Sequence, residues 1–226
     1  MPGDNGKDGA NLKKRLLARV RHGATGRVWT PVDFINLGTR AAVDKALQRM
    51  ARSGEIRRID RGLYDRPRTN KLTGKPVAPD YAAVLAAISR RDQTRLLVDG
   101  ITAANQLGLT DAVPGRIAVY TDARIRPIEL GRLKIEFKLA SPSKLYWAGR
   151  PAMRVVQALH WLRDLMGEPD SKLLRKLRGF VDDPLHGEAI RRDLRNGLHT
   201  LPSWMRDVVS SKLLAARATR GARRRR

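Results

Sequence analysis

The stretch from Arg40 to about Ser53 constrains the fold more than any other part of the chain. Its apolar residues recur at intervals of three and four, the period of an amphipathic helix with one buried face. The turn Leu37-Gly38-Thr39 precedes it, and Gly54 follows it. Two helices joined by a short turn that contains glycine are typical of a helix-turn-helix, whose second helix enters the major groove of DNA. The predicted core positions are Val43, Ala46, Leu47 and Met50.

Two shorter helical patterns precede this stretch. Residues 1–10 are predicted to be a disordered leader. A first helix is predicted to begin at Asn11, and its apolar stripe consists of Leu12, Leu16, Leu17 and Val20. A second helix is predicted to start at Thr30 as N-cap, with Pro31 in its first turn and Asp33 near the positive end of the helix dipole. Phe34, Ile35 and Leu37 are predicted to supply its apolar face.

A β-hairpin is predicted directly after the third helix. Glu55–Ile59 and Leu63-Tyr64 flank a turn at Asp60-Arg61-Gly62, at the place where a winged helix carries its wing. Arg57, Arg58 and Arg61 lie at or near its tip. We therefore predict that residues 11–66 form a winged helix-turn-helix domain that binds DNA, although the same elements also build protein–protein modules.

Proline and polar residues then separate this domain from a second one. Residues 67–79 are predicted to be an exposed linker, and residues 80–214 a C-terminal α+β domain with a small, mostly antiparallel sheet and a helical cap. Residues 215–226 end in RGARRRR and are predicted to be a basic disordered tail. The predicted fold class is α+β, with the winged helix-turn-helix domain preceding the C-terminal domain.

The excess of positive charge predicts the class of partner. Lys and Arg number 46 against 22 Asp and Glu, which gives a formal net charge of +24. The net charge is +8 over residues 1–66, +9 over 67–211 and +7 over 212–226. Such chains commonly bind polyanions, nucleic acid first, and a hydrophobic content of 42% argues against a wholly disordered polycation.

Several other classes of protein are excluded by what the sequence lacks. The chain has no cysteine, which excludes disulfide scaffolds, zinc fingers and cysteine nucleophiles. We also find no stretch of about 20 apolar residues, the length of a membrane span, and no signal-peptide core. The expectation is a cytoplasmic, nucleoid-associated protein without a membrane partner.

The predicted DNA contacts lie on the second and third helices and on the hairpin. Groove recognition needs Arg, Gln or small side chains on an exposed helix face, and the surrounding cations hold the phosphates. The predicted DNA-binding residues are Thr30, Thr39, Arg40, Ala41, Asp44, Lys45, Gln48, Arg49, Arg57, Arg58 and Arg61.

The sequence offers little support for catalysis, and we predict a protein that is not an enzyme and needs no metal or cofactor. His22, His160, His186 and His199 lack metal-ligand spacing, and His160 is interpreted as a packing or surface residue. Glu136 and Lys138, on a strand after Asp122 or Glu129, leave a Mg²⁺-dependent nuclease as one alternative. An RNA-binding protein is another, although only 5% of residues are aromatic.

Five sequence segments resemble one protein family. They are Asp33 to Val43 continuing into Ile56 to Tyr64, then Asn70 to Pro76, and then Gly100 to Leu109 followed by Val113 to Asp122. In order and spacing they resemble AbiEi-like antitoxins and transcriptional regulators of type IV toxin–antitoxin systems. The resemblance covers roughly residues 28–165, and the helices after residue 167 have no counterpart.

The resemblance implies a DNA-binding autorepressor. The winged helix of that family binds repeats in its own promoter, and its C-terminal domain counters a nucleotidyltransferase-like toxin encoded nearby. On this chain, Thr39, Arg40, Ala41, Asp44, Lys45 and Gln48 would face the groove, and Arg57, Arg58 and Arg61 would hold the backbone. Some members act alone as regulators, so a toxin partner and a homodimer on DNA both stay open.

Overall fold

The computed structural model of the chain describes residues 5–112, 114–163 and 172–215. By its internal contacts the chain divides into a first unit, residues 1–96 with 123–137, and a second unit, residues 97–122 with 138–226. Helices and sheets occur in both units, which confirms the predicted α+β class. The α-helices are α1 Asn5–His22, α2 Arg40–Arg52, α3 Tyr81–Asp92, α4 Gly100–Gln106, α5 Met153–Leu162, α6 Lys172–Val181, α7 Gly187–Gly197 and α8 Ser203–Val208.

Short strands and tight helical turns connect these helices. The strands are β1 Val28–Trp29, β2 Arg57–Asp60, β3 Leu63–Asp65, β4 Leu96–Val98, β5 Arg116–Thr121, β6 Ile128–Leu130 and β7 Leu133–Leu139. The turns are the 3₁₀ helices Pro31–Phe34 and Leu198–Thr200 and the π-helical turn Val209–Leu213. No helix in the described ranges combines the length and the apolar character that a membrane span requires.

The first unit begins with a winged helix-turn-helix. Helix α1, the 3₁₀ helix and α2 pack together, and β1, β3 and β2 form a three-stranded antiparallel sheet in that order. The apolar stripe of α1 is confirmed, and the helix starts at Asn5 rather than Asn11, so residues 5–10 of the predicted leader are helical. The core of the winged helix-turn-helix consists of Leu12, Leu16, Val20, Trp29, Phe34, Val43, Ala46, Leu47, Met50, Ile56 and Tyr64.

One part of the predicted core is wrong. The second helix is a single 3₁₀ turn that ends at Phe34, so Ile35 leaves the buried face and its surface is 61% exposed. Phe34 is fully buried against the Trp29 ring at 5.3 Å, and Leu37 is partly buried against the core. A 3₁₀ turn changes the direction of successive side chains, which a pattern based on the α-helical period does not capture.

Helix α3 packs on the sheet of the first unit. It begins at Asp80, whose carboxylate accepts the Ala82 N–H at 3.1 Å, and it contacts β1 and β3. Arg90 on this helix donates to the Val28 carbonyl at 3.0 Å. Much of the preceding segment, residues 67–79, is exposed and is closed by an antiparallel bridge between Thr69 and Pro76.

A hairpin in residues 126–139 forms part of the small, mostly antiparallel sheet that the sequence predicts. Strands β6 and β7 pair antiparallel with Ile128 opposite Ile135, and both side chains are buried. Gly131 turns the chain between them with a φ of +67°, a conformation that costs glycine little.

Helices form most of the second unit, in which β4 lies beside β5. Met166 lies outside the described residues, and many of the other apolar residues that recur at helical spacing in this unit are buried. These residues are Val155, Leu159, Leu162, Leu174, Leu177, Val181, Leu194, Met205, Val209 and Leu213. The predicted basic tail also lies outside them from residue 216 onward.

Candidate nucleic-acid interface

Helix α2 is fixed at both ends and along one face. The Thr39 hydroxyl accepts the Ala42 N–H at 3.3 Å as an N-cap, and Gly54 follows the last turn with a φ of +75°. The predicted core face is confirmed, since Val43, Leu47 and Met50 are fully buried and Ala46 nearly so. Because that face is buried, the opposite face of the helix can point only to solvent.

The solvent-exposed face of α2 carries a small residue and an amide surrounded by cations. By the helical period Ala41, Lys45, Gln48 and Arg52 lie along the middle of this face, and Arg49 lies to one side of them. Within the described residues, the side chains of Lys45, Gln48 and Arg49 take part in no ion pair or hydrogen bond. These groups are therefore available to a partner. Arg52, absent from the predicted set, belongs to it because it lies one turn beyond Gln48.

The first turn of α2 is electrostatically balanced. Arg40 Nε donates to Asp44 at 3.0 Å in an exposed pair of the i, i+4 type. Thr39 is exposed, but its hydroxyl oxygen is occupied by the cap. The net positive charge of the helix therefore lies on Lys45, Arg49 and Arg52, in its middle and last turn.

Successive side chains of β2 point to opposite faces of the sheet, so the two arginines of this strand have different surroundings. Arg58 is exposed, whereas Arg57 is directed toward its partner strand and lies opposite Asp65. Arg57 donates to both oxygens of that carboxylate and, through Nη1, to the Val77 carbonyl at 2.8 Å. Asp65 is buried, so Arg57 compensates a buried charge and is not free for a phosphate.

Thr30 cannot take the predicted role with its side chain. It is fully buried, and its backbone N–H and its hydroxyl both donate to one oxygen of Asp33, at 2.8 and 3.0 Å. The same carboxylate pairs with Arg27 at 3.3 Å. The N-cap position of Thr30 was predicted correctly, but it places the side chain inside the domain rather than on its surface.

The tip of the wing is held by α3. Arg91 Nη1 donates to the Arg61 carbonyl at 2.9 Å, while the Arg61 side chain stays exposed. Gly62 at the turn has a φ of +70°. The neighbouring Asp92 carboxylate raises the pKa of Arg91, which keeps this donor charged. Sequence reasoning did not identify Arg91, because the contact spans thirty positions of the chain.

A second ion pair joins α1 to the segment before the wing. Lys13 Nζ lies 2.9 Å from Glu55, and this hydrogen bond lowers the pKa of the Glu55 carboxyl. Lys14 and Arg15 on the same helix are exposed. Arg15 Nη1 donates to the Leu37 carbonyl at 3.3 Å, next to the turn that leads into α2.

Glu136 and Lys138, the residues of the alternative nuclease site, are not assembled around a metal site in the described residues. Glu136 pairs with Lys134 at 3.2 Å along β7, and Lys138 is exposed. In the described ranges no three His, Cys, Asp or Glu residues come together as metal ligands. Each of the four histidines contacts another group: His22 the Ala18 carbonyl, His186 the Asp183 carboxylate, His199 the Tyr146 ring and His160 the Trp204 ring.

Comparisons with known proteins identify one family. The profile of DUF6088, described as a family of unknown function, matches residues 15–177. No curated protein matches the chain significantly. Among solved structures, the crystal structure of the RV2827C protein from Mycobacterium tuberculosis is similar, with 20% sequence identity and a TM-score of 0.40. That similarity covers 90% of this chain and 76% of the other.

Proposed function

We propose that this chain, which belongs to the DUF6088 family, is a DNA-binding repressor of its own promoter. One observation carries the proposal. The exposed face of α2 holds Lys45, Gln48 and Arg49 without intramolecular partners, around the small residue Ala41. An amide and flanking guanidinium groups on a helix that follows a tight turn are what major-groove recognition requires.

The size of the side chains on this face suits a groove. An α-helix fits the major groove of B-DNA, which is about 12 Å wide, and Ala41 adds little bulk near the centre of the contact. The Gln48 amide can donate to and accept from one adenine edge. Arg49 or Arg52 can form a two-point contact with guanine. Specificity would therefore come from the middle and last turn of α2.

The cations outside this face would supply phosphate contacts. Arg58 and Arg61 are exposed on the wing, and Lys14 is exposed on α1. Contacts of this kind position the protein and carry no direct sequence information. Their contribution depends on released counterions, so we expect log Kd to change linearly with log salt, with a slope of about 0.9 per phosphate neutralised.

The test measures binding of the full chain to duplex DNA taken from upstream of its own gene. Fluorescence anisotropy should give an affinity at least about tenfold higher for this duplex than for a shuffled duplex of equal composition. Replacing Arg40, Gln48 and Arg49 together by alanine should abolish that difference. Specific binding that survives the triple replacement would show that α2 is not the recognition helix.

A matched control separates loss of recognition from loss of charge. Arg132 is exposed in the β6–β7 hairpin, outside the winged helix-turn-helix, and Lys71 is exposed in residues 67–79. The variant with alanine at these two positions removes the same two positive charges as the triple replacement and should keep the preference for the upstream duplex. Competition with RNA of the same sequence tests the RNA-binding alternative: if RNA displaces the duplex at equal concentration, the proposal of a DNA repressor is overturned.

We further infer that the chain is the antitoxin of a type IV system that counters a nucleotidyltransferase-like toxin. This step is supported by the resemblance to AbiEi-like antitoxins, which extends over Gly100 to Leu109 and Val113 to Asp122. If the downstream gene encodes such a protein, its expression alone should arrest growth, and co-expression of this chain should restore it. Arrest that persists with the chain present contradicts the antitoxin role and leaves the repressor role intact.

A further inference from the structure

A cavity of about 570 Å³ lies within the second unit, apart from the residues of the proposed DNA interface. Its volume falls in the range of about 300–1,000 Å³ that is typical of small-molecule sites. Its walls come from the start of α4, from β5, from α5 and from the segments around residues 143–147 and 200–202. The side chains that define its chemistry are Tyr120, Lys144, Trp147, Gln157, His160 and Trp161.

Aromatic rings form a large part of the wall. Trp147 is nearly buried, and Trp161 and Tyr120 are half-buried with surface left toward the cavity. Two glycines leave room for the tryptophans, because a Cβ at Gly197 would collide with the Trp147 ring and one at Gly100 would lie 2.8 Å from Trp161 Cβ. Aromatic rings in a cavity wall suit a flat ligand that stacks on them.

The charge at the cavity is positive. Lys144 Nζ lies 3.6 Å from the centre of the Tyr120 ring, and in the described part of the chain no carboxylate pairs with it. Asp99, the acid in the wall, directs its two oxygens to the backbone N–H groups of Thr102 and Ala118, at 2.9 and 3.0 Å. An ammonium group that no described carboxylate neutralises, beside a carboxylate whose oxygens already accept hydrogen bonds, favours an anion.

The positive charge at the cavity also acts on the His160 imidazole. Partial desolvation lowers the pKa of its imidazole, and the nearby charges of Lys144 and Arg163 lower it further. A neutral imidazole can donate or accept a hydrogen bond, and an anion placed between these groups would favour its protonated form. The cavity therefore combines aromatic rings, the ammonium group of Lys144 and a histidine whose charge depends on what is bound.

We propose that this cavity binds a nucleoside monophosphate, with the base stacked on the aromatic wall and the phosphate at Lys144. The three features each match one part of such a ligand: the rings match the base, the ammonium matches the phosphate, and Gln157 supplies an amide that can pair with a base edge. The proposal does not depend on the proposed DNA binding, since none of these residues belongs to the first unit.

The experiment titrates the full chain with AMP, GMP, CMP and UMP and follows tryptophan fluorescence excited at the red edge, with calorimetry as a second readout. At least one nucleotide should quench the fluorescence to saturation. The corresponding nucleoside should bind about tenfold more weakly, because it lacks the charge-assisted contact to Lys144. Inorganic phosphate, which cannot stack, should leave the fluorescence unchanged.

Charge-matched variants separate a specific site from general attraction to a basic protein. Lys144→Gln should weaken the preferred nucleotide about tenfold, and Lys172→Gln, which removes an exposed lysine of the same unit outside the cavity wall, should not weaken it. Circular dichroism checks that both variants fold. If the two variants lose affinity equally, or if none of the four nucleotides saturates at millimolar concentration, the proposal is wrong.

Discussion

The guanidinium of Arg57 and the carboxylate of Asp65 form a two-point ion pair between neighbouring strands of the wing, with contacts of 2.9 and 2.5 Å. Asp65 is buried, and Arg57 also holds the Val77 carbonyl. This relationship assigns the two arginines of β2 to different tasks. Arg57 stabilises the wing from within, and Arg58, on the other side of the strand, is left for an external partner.

We expect Arg57→Gln to destabilise the protein and Arg58→Gln to leave stability unchanged. Removing Arg57 leaves the Asp65 charge buried and unpaired, which costs about 3 kcal/mol in the free energy of unfolding. Urea denaturation followed by circular dichroism measures both variants. Equal stability of the two would mean that the Asp65 carboxylate finds another partner and that the pair has no structural role.

The same division predicts different effects on DNA binding. Arg58→Gln should weaken binding to all duplexes alike and reduce the salt slope by about 0.9, because one phosphate contact is lost. Gln48→Ala should instead reduce the preference for the upstream duplex and leave the slope unchanged. Anisotropy titrations at several salt concentrations measure both quantities. A changed slope for Gln48→Ala would assign that side chain to the backbone rather than to a base.

The sequence predicts the recognition helix well because its signals are local. The spacing of Val43, Leu47 and Met50, the cap at Thr39 and the stop at Gly54 all lie within about four turns of one helix. The directions of the Thr30 and Arg57 side chains depend on contacts that the local pattern does not contain. Asp33 turns Thr30 inward, and the partner strand decides which arginine of the hairpin meets Asp65.

Longer-range relationships were beyond the sequence. The contact of Arg91 with the Arg61 carbonyl depends on how α3 packs on the sheet, which no period or cap in α3 specifies. The cavity beside Lys144 is formed by segments more than eighty positions apart, so no local sequence pattern identifies Lys144 as part of a site. Patterns identify elements and faces, whereas cavities depend on how distant elements pack.

A buried ion pair in the second unit predicts a stability defect. Asp193 is nearly buried and accepts Arg150 Nε at 2.7 Å and the Ala152 N–H at 3.0 Å. Asp193→Asn should lower the free energy of unfolding by about 2 kcal/mol, less than for a fully buried pair because Arg150 is partly exposed. Asp207→Asn, an exposed acid on α8, is the matched control and should change stability little. Equal urea midpoints for the two variants would contradict the prediction.

His160 predicts how the stability depends on pH. Its pKa in the folded chain is lowered, first by desolvation and then by Lys144 and Arg163, so the unfolded chain binds this proton more readily. The stability is therefore complete above the ordinary histidine pKa of about 6.5 and falls as the pH drops below it. His160→Gln should remove this part of the acid sensitivity. Lys144→Gln should raise the pKa of His160, as measured from its ring proton shifts by NMR; an unchanged value would show that the two groups do not interact.

The close approach of α5 to Gly100 on α4 predicts that a larger residue at this position destabilises the protein. A Cβ at this position would lie 2.8 Å from the Gln157 carbonyl oxygen and 3.1 Å from the Trp161 nitrogen, both of them backbone atoms that cannot turn aside. Gly100→Ala should therefore cost about 1–3 kcal/mol in the free energy of unfolding, although alanine is the better helix former. Gly179 on α6 has nothing within 4 Å of its Cβ position, so Gly179→Ala should stabilise the protein by up to about 1 kcal/mol. Urea unfolding of the pair measures the difference, and stabilisation by both substitutions would mean that α4 and α5 do not approach this closely.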